Sequence, residues 1–162
     1  MSKSVLISIR PKWCEKIVSG EKTVEVRKTR PKLEMPFKCY IYCAKDGDPR
    51  RLVGERGKVI GEFICDHIFE LETKAPGGSY YVKGEDQPTT NDVARQSCLD
   101  LRDMHEYLRA AKGYGWHISN LKIYDTTREL REFTGLRDTK FGAAPYEISR
   151  PFQSWGYVEE LK

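Results

Sequence analysis

Gly20-Glu21-Lys22-Thr23-Val24-Glu25-Val26-Arg27 is the stretch on which the fold turns. Strand side chains alternate between faces, so Thr23, Glu25 and Arg27 point one way and Val24 and Val26 the other. The valines suit a core, and the polar set suits a surface or a cleft. Lys22 stands where a turn becomes the strand, so its ammonium can reach toward Glu25. On alternation alone, a solvated polar face is the plainer reading. The flanking sequence argues for more. Ser4-Val5-Leu6-Ile7-Ser8-Ile9-Arg10 reads as a first strand, and Pro11–Ser19 as a short helix. Pro11 suits the first helical turn, and Gly20 the position just past the helix end.

The 162 residues predict one domain with a real core. Charged residues make up 32% and aromatics 11%, a balance that excludes a disordered chain. No apolar run approaches the roughly 20 residues of a membrane span. Met1-Ser2-Lys3-Ser4 leads straight into a strand with no apolar signal region. The five cysteines, Cys14, Cys39, Cys43, Cys65 and Cys98, are odd in number and scattered over expected core positions. They predict reduced thiols and a cytoplasmic location rather than a disulfide framework. Net charge is +4, unevenly spread: residues 1–38 hold ten Lys or Arg and four Glu, a net +6, so the remainder sums to −2. A basic first third suggests a surface that faces a polyanion.

Residues 23–28, 38–44, 59–69, 115–125 and 155–159 read as further strands, rich in β-branched and aromatic residues. Lys45-Asp46-Gly47-Asp48-Pro49 is a turn-rich break, followed by Arg50, Arg51, Arg56 and Lys58 in a loop or ragged hairpin. One helix is predicted from about Asn91 to Ala111, opened by Thr89 and Asp92 at capping-box spacing. Ala94, Cys98, Leu101, His105 and Leu108 share one of its faces, which makes His105 a packed histidine. A shorter helix is predicted around residues 127–132, and a loop from Thr134 to Tyr146. The fold class that follows is α+β: about six strands in a small mixed barrel, with flanking helices. Small barrels fill their interiors with side chains, so a ligand binds beside the barrel.

Strand, helix, Gly20-x-Lys22-x-x-Glu25-x-Arg27, then strand closely resembles the opening of the ASCH domain family, which has a PUA-like fold. The resemblance continues through Cys39–Cys43 and Lys58–Phe63. It also takes in Tyr114-Gly115-Trp116-His117-Ile118 and Arg150-Pro151-Phe152-Gln153-Ser154-Trp155. It spans residues 1–162 as a single ASCH/PUA-like domain, with a helical insert at about 70–112. It implies an RNA or nucleotide-like ligand in a basic cleft. Arg10, Lys12, Lys22 and Arg27 would hold phosphate there. Trp13, which follows Arg10 and Lys12, would stack a base. Arg150, Gln153 and Ser154 lie in a turn that resembles a family element near the cleft; the arginine suits phosphate and the glutamine a base edge.

Two other classes stay open. One is a small hydrolase with Lys22 and Glu25 as its catalytic pair. The family resemblance implies either a divalent-metal-dependent ribonuclease or an amidohydrolase on acylated nucleosides. Amidohydrolase members of the family act on N4-acetylcytidine with the lysine, a threonine three residues later and a distant glutamate. Here Glu25 holds the threonine position, with Thr23 the neighbouring hydroxyl. The other class is a protein-interaction module using the insert helix. Metal and cofactor signals are poor. Cys39 and Cys43 share a strand face without a partner pair, no Gly-rich phosphate loop is present, and no cofactor is expected beyond a divalent metal in the ribonuclease case.

Overall fold

The computed structural model describes residues 2–45 and 56–162. The turn-rich break at 46–49 and the Arg50–Arg51 loop lie outside the described residues. Nine strands and three α-helices are present among those described: β1 (Lys3–Ile9), α1 (Pro11–Val18), β2 (Val24–Arg27), β3 (Phe37–Cys43), β4 (Lys58–Thr73), β5 (Tyr80–Val82), α2 (Thr90–Ser97), α3 (Leu101–Leu108), β6 (Gly113–Arg128), β7 (Thr134–Thr139), β8 (Gly142–Glu147) and β9 (Trp155–Glu159). The fold is mixed α+β, as predicted. The barrel of about six strands is corrected: the hydrogen-bonded order β2-β6-β4-β3-β1-β9-β7-β8, with β5 on β4, is an open path. The 16-residue β4 pairs with β6, β3 and β5, one neighbour more than a strand of a simple closed barrel has.

The chain forms two compact units. One holds the chain up to Glu15 with Phe37–Ile64 and Asn120–Lys162; the other holds Lys16–Pro36 and Cys65–Ser119. In the first, β1 pairs parallel with β3, Ile7 opposite Ile41, and antiparallel with β9, Ile7 opposite Trp155. Its core gathers Leu6, Tyr40, Tyr42, Val59, Phe133, Ile148 and Val158. Tyr40 meets Phe133 edge-on at 4.9 Å and accepts a bond from the Leu161 amide through its hydroxyl at 2.9 Å.

In the second unit β2 pairs antiparallel with β6, Glu25 opposite Trp116. Its core is Val24, Val26, Leu71, Tyr80, Val93, Ala94, Met104 and Leu108. Both valines of the opening stretch are thus buried, as their alternation required. Trp116 is fully buried and its indole N–H donates to the Thr29 carbonyl at 3.4 Å, so it belongs to the core.

The single helix expected over 91–111 is two helices. Thr89 does open α2 with a reciprocal capping box to Asp92. Cys98 then turns left-handed at φ 60°, and Asp100 caps a new helix by accepting the Asp103 amide at 2.7 Å. A carboxylate three residues before an amide it can cap competes with continuing the first helix. Residues 127–132 also differ from the prediction: β6 runs on to Arg128, and only a 3-10 turn, Leu130–Glu132, follows. The expected loop 134–146 is instead the β7–β8 hairpin, with Leu136 opposite Pro145. No helix among the described residues is long and apolar enough to cross a membrane.

Candidate functional site

The turn and strand of the opening motif place Lys22, Glu25 and Arg27 together in the second unit. Gly20 takes φ +84° after α1, a conformation that favours glycine. The Lys22 amide then donates back to the Lys16 carbonyl at 3.0 Å, which fixes where its side chain leaves the turn. Lys22 Nζ lies 3.8 Å from Glu25 Oε1, and Arg27 Nε lies 3.7 Å from the same oxygen. Lys22 is 2% exposed, Glu25 6%. The polar face of β2 is therefore covered rather than solvated.

The cover comes from the insert. The Thr23 amide donates to the Gln96 carbonyl at 2.8 Å, pinning the last turn of α2 to β2. Lys22 Nζ donates to the Ser97 carbonyl at 2.7 Å. Carbonyls at a helix C-terminus carry the negative end of the dipole, a natural acceptor for an ammonium. Burial lowers the Lys22 pKa from its ordinary value of 10.5, and Glu25 partly opposes the shift. Glu25 Oε2 is buried and has no hydrogen-bond partner among the described residues.

The remaining expected site residues lie in the first unit. Arg10 and Lys12 are exposed, and Trp13 is half-buried with the Lys12 ammonium 4.4 Å from its ring centre. Arg150 and Gln153 are exposed and Ser154 is half-buried. Their turn is tied to β1: the Ser8 amide donates to the Ser154 carbonyl at 2.8 Å and Ser8 Oγ to the Phe152 carbonyl at 2.5 Å. So the structure brings Lys22, Glu25 and Arg27 together, and sets the Phe152–Ser154 turn beside the end of β1.

Two neighbours of the cluster escaped the sequence reading. Ser97 acts through its backbone carbonyl, which no side-chain pattern reveals. Tyr107 on α3 carries the Lys28 ammonium, next to Arg27 in the chain, at 5.1 Å from its ring centre. The helical spacing of Leu101, His105 and Leu108 marked a helix here, but not that Tyr107 would meet Lys28. His105 is half-buried, edge-on to Tyr80 at 5.0 Å, as a packed histidine. His117 is bonded through Nδ1 to Asp66 at 2.7 Å, away from any role assigned above.

The cluster does not suit a divalent cation. Glu25 is flanked by an ammonium and a guanidinium that already compete for Oε1, and no three His, Cys, Asp or Glu among the described residues gather as ligands.

The ASCH domain model matches residues 7–130, and the chain belongs to the ASCH domain family. Among solved structures, the fold is similar to the crystal structure of ASCH from Zymomonas mobilis, 17% identical, with a TM-score of 0.58 over 97% of this chain and 88% of that chain. A tyrosine-to-phenylalanine mutant of the Zymomonas mobilis protein matches at 17% identity and a TM-score of 0.57, over 98% of this chain and 92% of that one. Its serine-to-alanine mutant matches at the same identity and score, over 97% and 89%. No curated protein matches significantly.

Proposed function

We propose that this ASCH domain binds an RNA or nucleotide-like ligand, with Glu25 accepting a hydrogen bond from a base edge. The observation that carries the reading is the unpartnered Oε2 of Glu25 inside the buried cluster with Lys22 and Arg27. A buried carboxylate oxygen left without a donor costs about 1–3 kcal/mol. A ligand N–H that reaches it recovers much of that. An ionised carboxylate only accepts, so it favours bases with an exocyclic amine, as when Asp or Glu takes the N4 amine of cytosine. Arg10 and Lys12, exposed and basic, suit phosphate, and Trp13 suits stacking. Arg150 and Gln153 are exposed and able to contact the same kind of ligand.

Competition between short labelled oligocytidylate and oligouridylate tests the reading. Wild type should prefer cytosine, and Glu25→Gln, which turns an acceptor into a group that also donates, should erase that preference. Equal affinity of wild type for both bases refutes the role of Glu25.

A second reading is favoured by the lowered pKa of Lys22. A buried amine that sheds its proton more readily is suited to acid–base work, with Glu25 beside it, in hydrolysis of an acylated nucleoside. Incubation with N4-acetylcytidine, and with labelled RNA with and without magnesium or manganese, separates the classes. A binder leaves both intact. In a hydrolase, Glu25→Gln should lose roughly 10²–10⁴-fold in rate while retaining binding.

The protein-interaction reading draws less support: α2 and α3 bury Val93, Ala94, Met104 and Leu108 in their own unit. The five free cysteines fit a reducing compartment, so a cytoplasmic location belongs to the proposal.

A further inference from the structure

We propose that the insert holds a ligand site of its own, a cavity bounded by the first residues of β5, α2 and α3 that takes a small aromatic carboxylic acid. It lies at the start of α2, whereas the Lys22 cluster meets that helix at its end.

The cavity has a volume of about 600 Å³ and lies within the second unit. Sites for small organic ligands run from roughly 300 to 1,000 Å³. Its origin is the break between the two helices. Cys98 turns left-handed and Asp100 caps a new helix, so the first turns of α2 and α3 line one space together with Tyr80. The base of that space is apolar: Tyr80 and Met104 are buried, while Leu101 is an apolar side chain left 43% exposed. The hydroxyls around it are already engaged. Thr90 Oγ1 donates to the Tyr80 carbonyl at 2.8 Å, the Tyr80 hydroxyl donates to the Ala111 carbonyl at 2.8 Å, and Thr89 Oγ1 accepts the Asp92 amide at 3.1 Å. These bonds fix the walls and leave apolar surface as the main thing the cavity offers.

The lining sets the chemistry of the occupant. Tyr80 and His105 meet edge-on at 5.0 Å, and Met104 lines the cavity with them. Ring edges and a thioether sulfur both make favourable contacts with an aromatic ring. Charge selects the other end of the ligand. Arg102 is the one residue of fixed charge among the described lining residues, which include no Asp or Glu. Its Nε donates to Glu106 Oε1 at 3.2 Å, on the next turn of α3, and this uses a single donor of the guanidinium fork. The other donors suit a carboxylate, whose paired oxygens match the planar guanidinium. An amine in the same place would meet Arg102 with like charge. An aromatic acid therefore satisfies both parts of the lining, and an aromatic amine only one.

Methyl NMR on the full chain, labelled at methionine, tests this with 2-naphthoate, 2-naphthamide and 2-naphthylmethylamine as probes. Titration with 2-naphthoate should shift the methyl resonance of Met104, identified by its loss in Met104→Leu, and leave that of Met35 in place. The amide should bind about 3- to 10-fold more weakly than the acid, the worth of one exposed charge-assisted contact, and the amine more weakly still. Arg102→Gln should remove the preference for the acid, and Arg102→Lys should keep most of it. Leu101→Trp, which fills the mouth, should remove saturable binding of every probe. Leu101 and Arg102 are exposed, so these variants should melt with wild type. Binding of 2-naphthoate that leaves Met104 unmoved, or that survives Leu101→Trp, overturns the cavity as the site. Acid and amide bound equally well overturn the assigned chemistry. No binding of 2-naphthoate at millimolar concentration overturns the proposal as a whole.

Discussion

At the scale of single residues, Lys22 is a buried cation held on two sides. The Ser97 carbonyl and the Glu25 Oε1 that Arg27 shares both face its ammonium, at 2% exposure. Removing one member of a buried charge cluster is costly, because the others lose their compensation. Lys22→Met should therefore destabilise the fold by about 3 kcal/mol at neutral pH, read by urea titration. Its pH dependence has a definite sign. Burial sets the folded pKa below 10.5, against the pull of Glu25, so between the two values the unfolded chain binds more protons. Stability contributed by this group rises with pH through that window. The stability of wild type relative to Lys22→Met should improve as pH climbs toward 10.5. A gap that stays flat with pH would mean the lysine is not depressed. Cys65 shows the opposite class of group, a thiol that burial pushes up to about 12 and keeps protonated and unreactive.

At the scale of elements, the insert matters through its helix ends. Thr89 and Asp92 cap α2, and the far end of that helix presents Gln96 and Ser97 to the turn and strand carrying Lys22. Thr89→Ala should cost about 1 kcal/mol, and hydrogen exchange should rise first in the amides of α2. Exchange unchanged in α2 would show that the cap is dispensable. Strand β4 depends on a close approach instead. A Cβ at Gly61 would lie 2.4 Å from the Lys122 carbonyl oxygen of β6, a backbone atom with little room to yield. Gly61→Ala should destabilise by about 2 kcal/mol and lower the melting temperature by roughly 4–8 °C. The same scale explains what pattern reading missed. Gly135, Gly142 and Pro145 look like loop residues. Gly135 in fact lies under the Tyr146 ring, and Gly142 makes the hairpin turn at φ +102°. Pro145 is tolerated because β8 ends the strand order and has a free edge. Conversely, β1, α1 and β2 were legible because Pro11 and Gly20 bracket a helix and alternating valines mark a strand.

At the scale of the whole molecule, the uneven charge is the property with a measurable consequence. The first 38 residues carry net +6 against −2 for the rest. RNA affinity should fall linearly in log–log form as salt rises, and Lys12→Ala, removing one exposed cation, should weaken all sequences alike and lower the slope by about 1. An affinity indifferent to salt would argue against phosphate contacts. Charge, composition, the family motif and the order of the first elements are properties of neighbouring residues, so the chain displays them without folding. The alternation of Val24, Glu25 and Val26 likewise determined that glutamate and valines take opposite faces. It could not determine that the glutamate's face would be covered. That depended on α2, some 70 residues downstream, meeting the turn and strand through the Gln96 and Ser97 carbonyls. Backbone acceptors have no sequence signature, and burial is a sum over distant neighbours. Tertiary structure alone therefore turned a polar strand face into a buried charge cluster with one carboxylate oxygen unsatisfied.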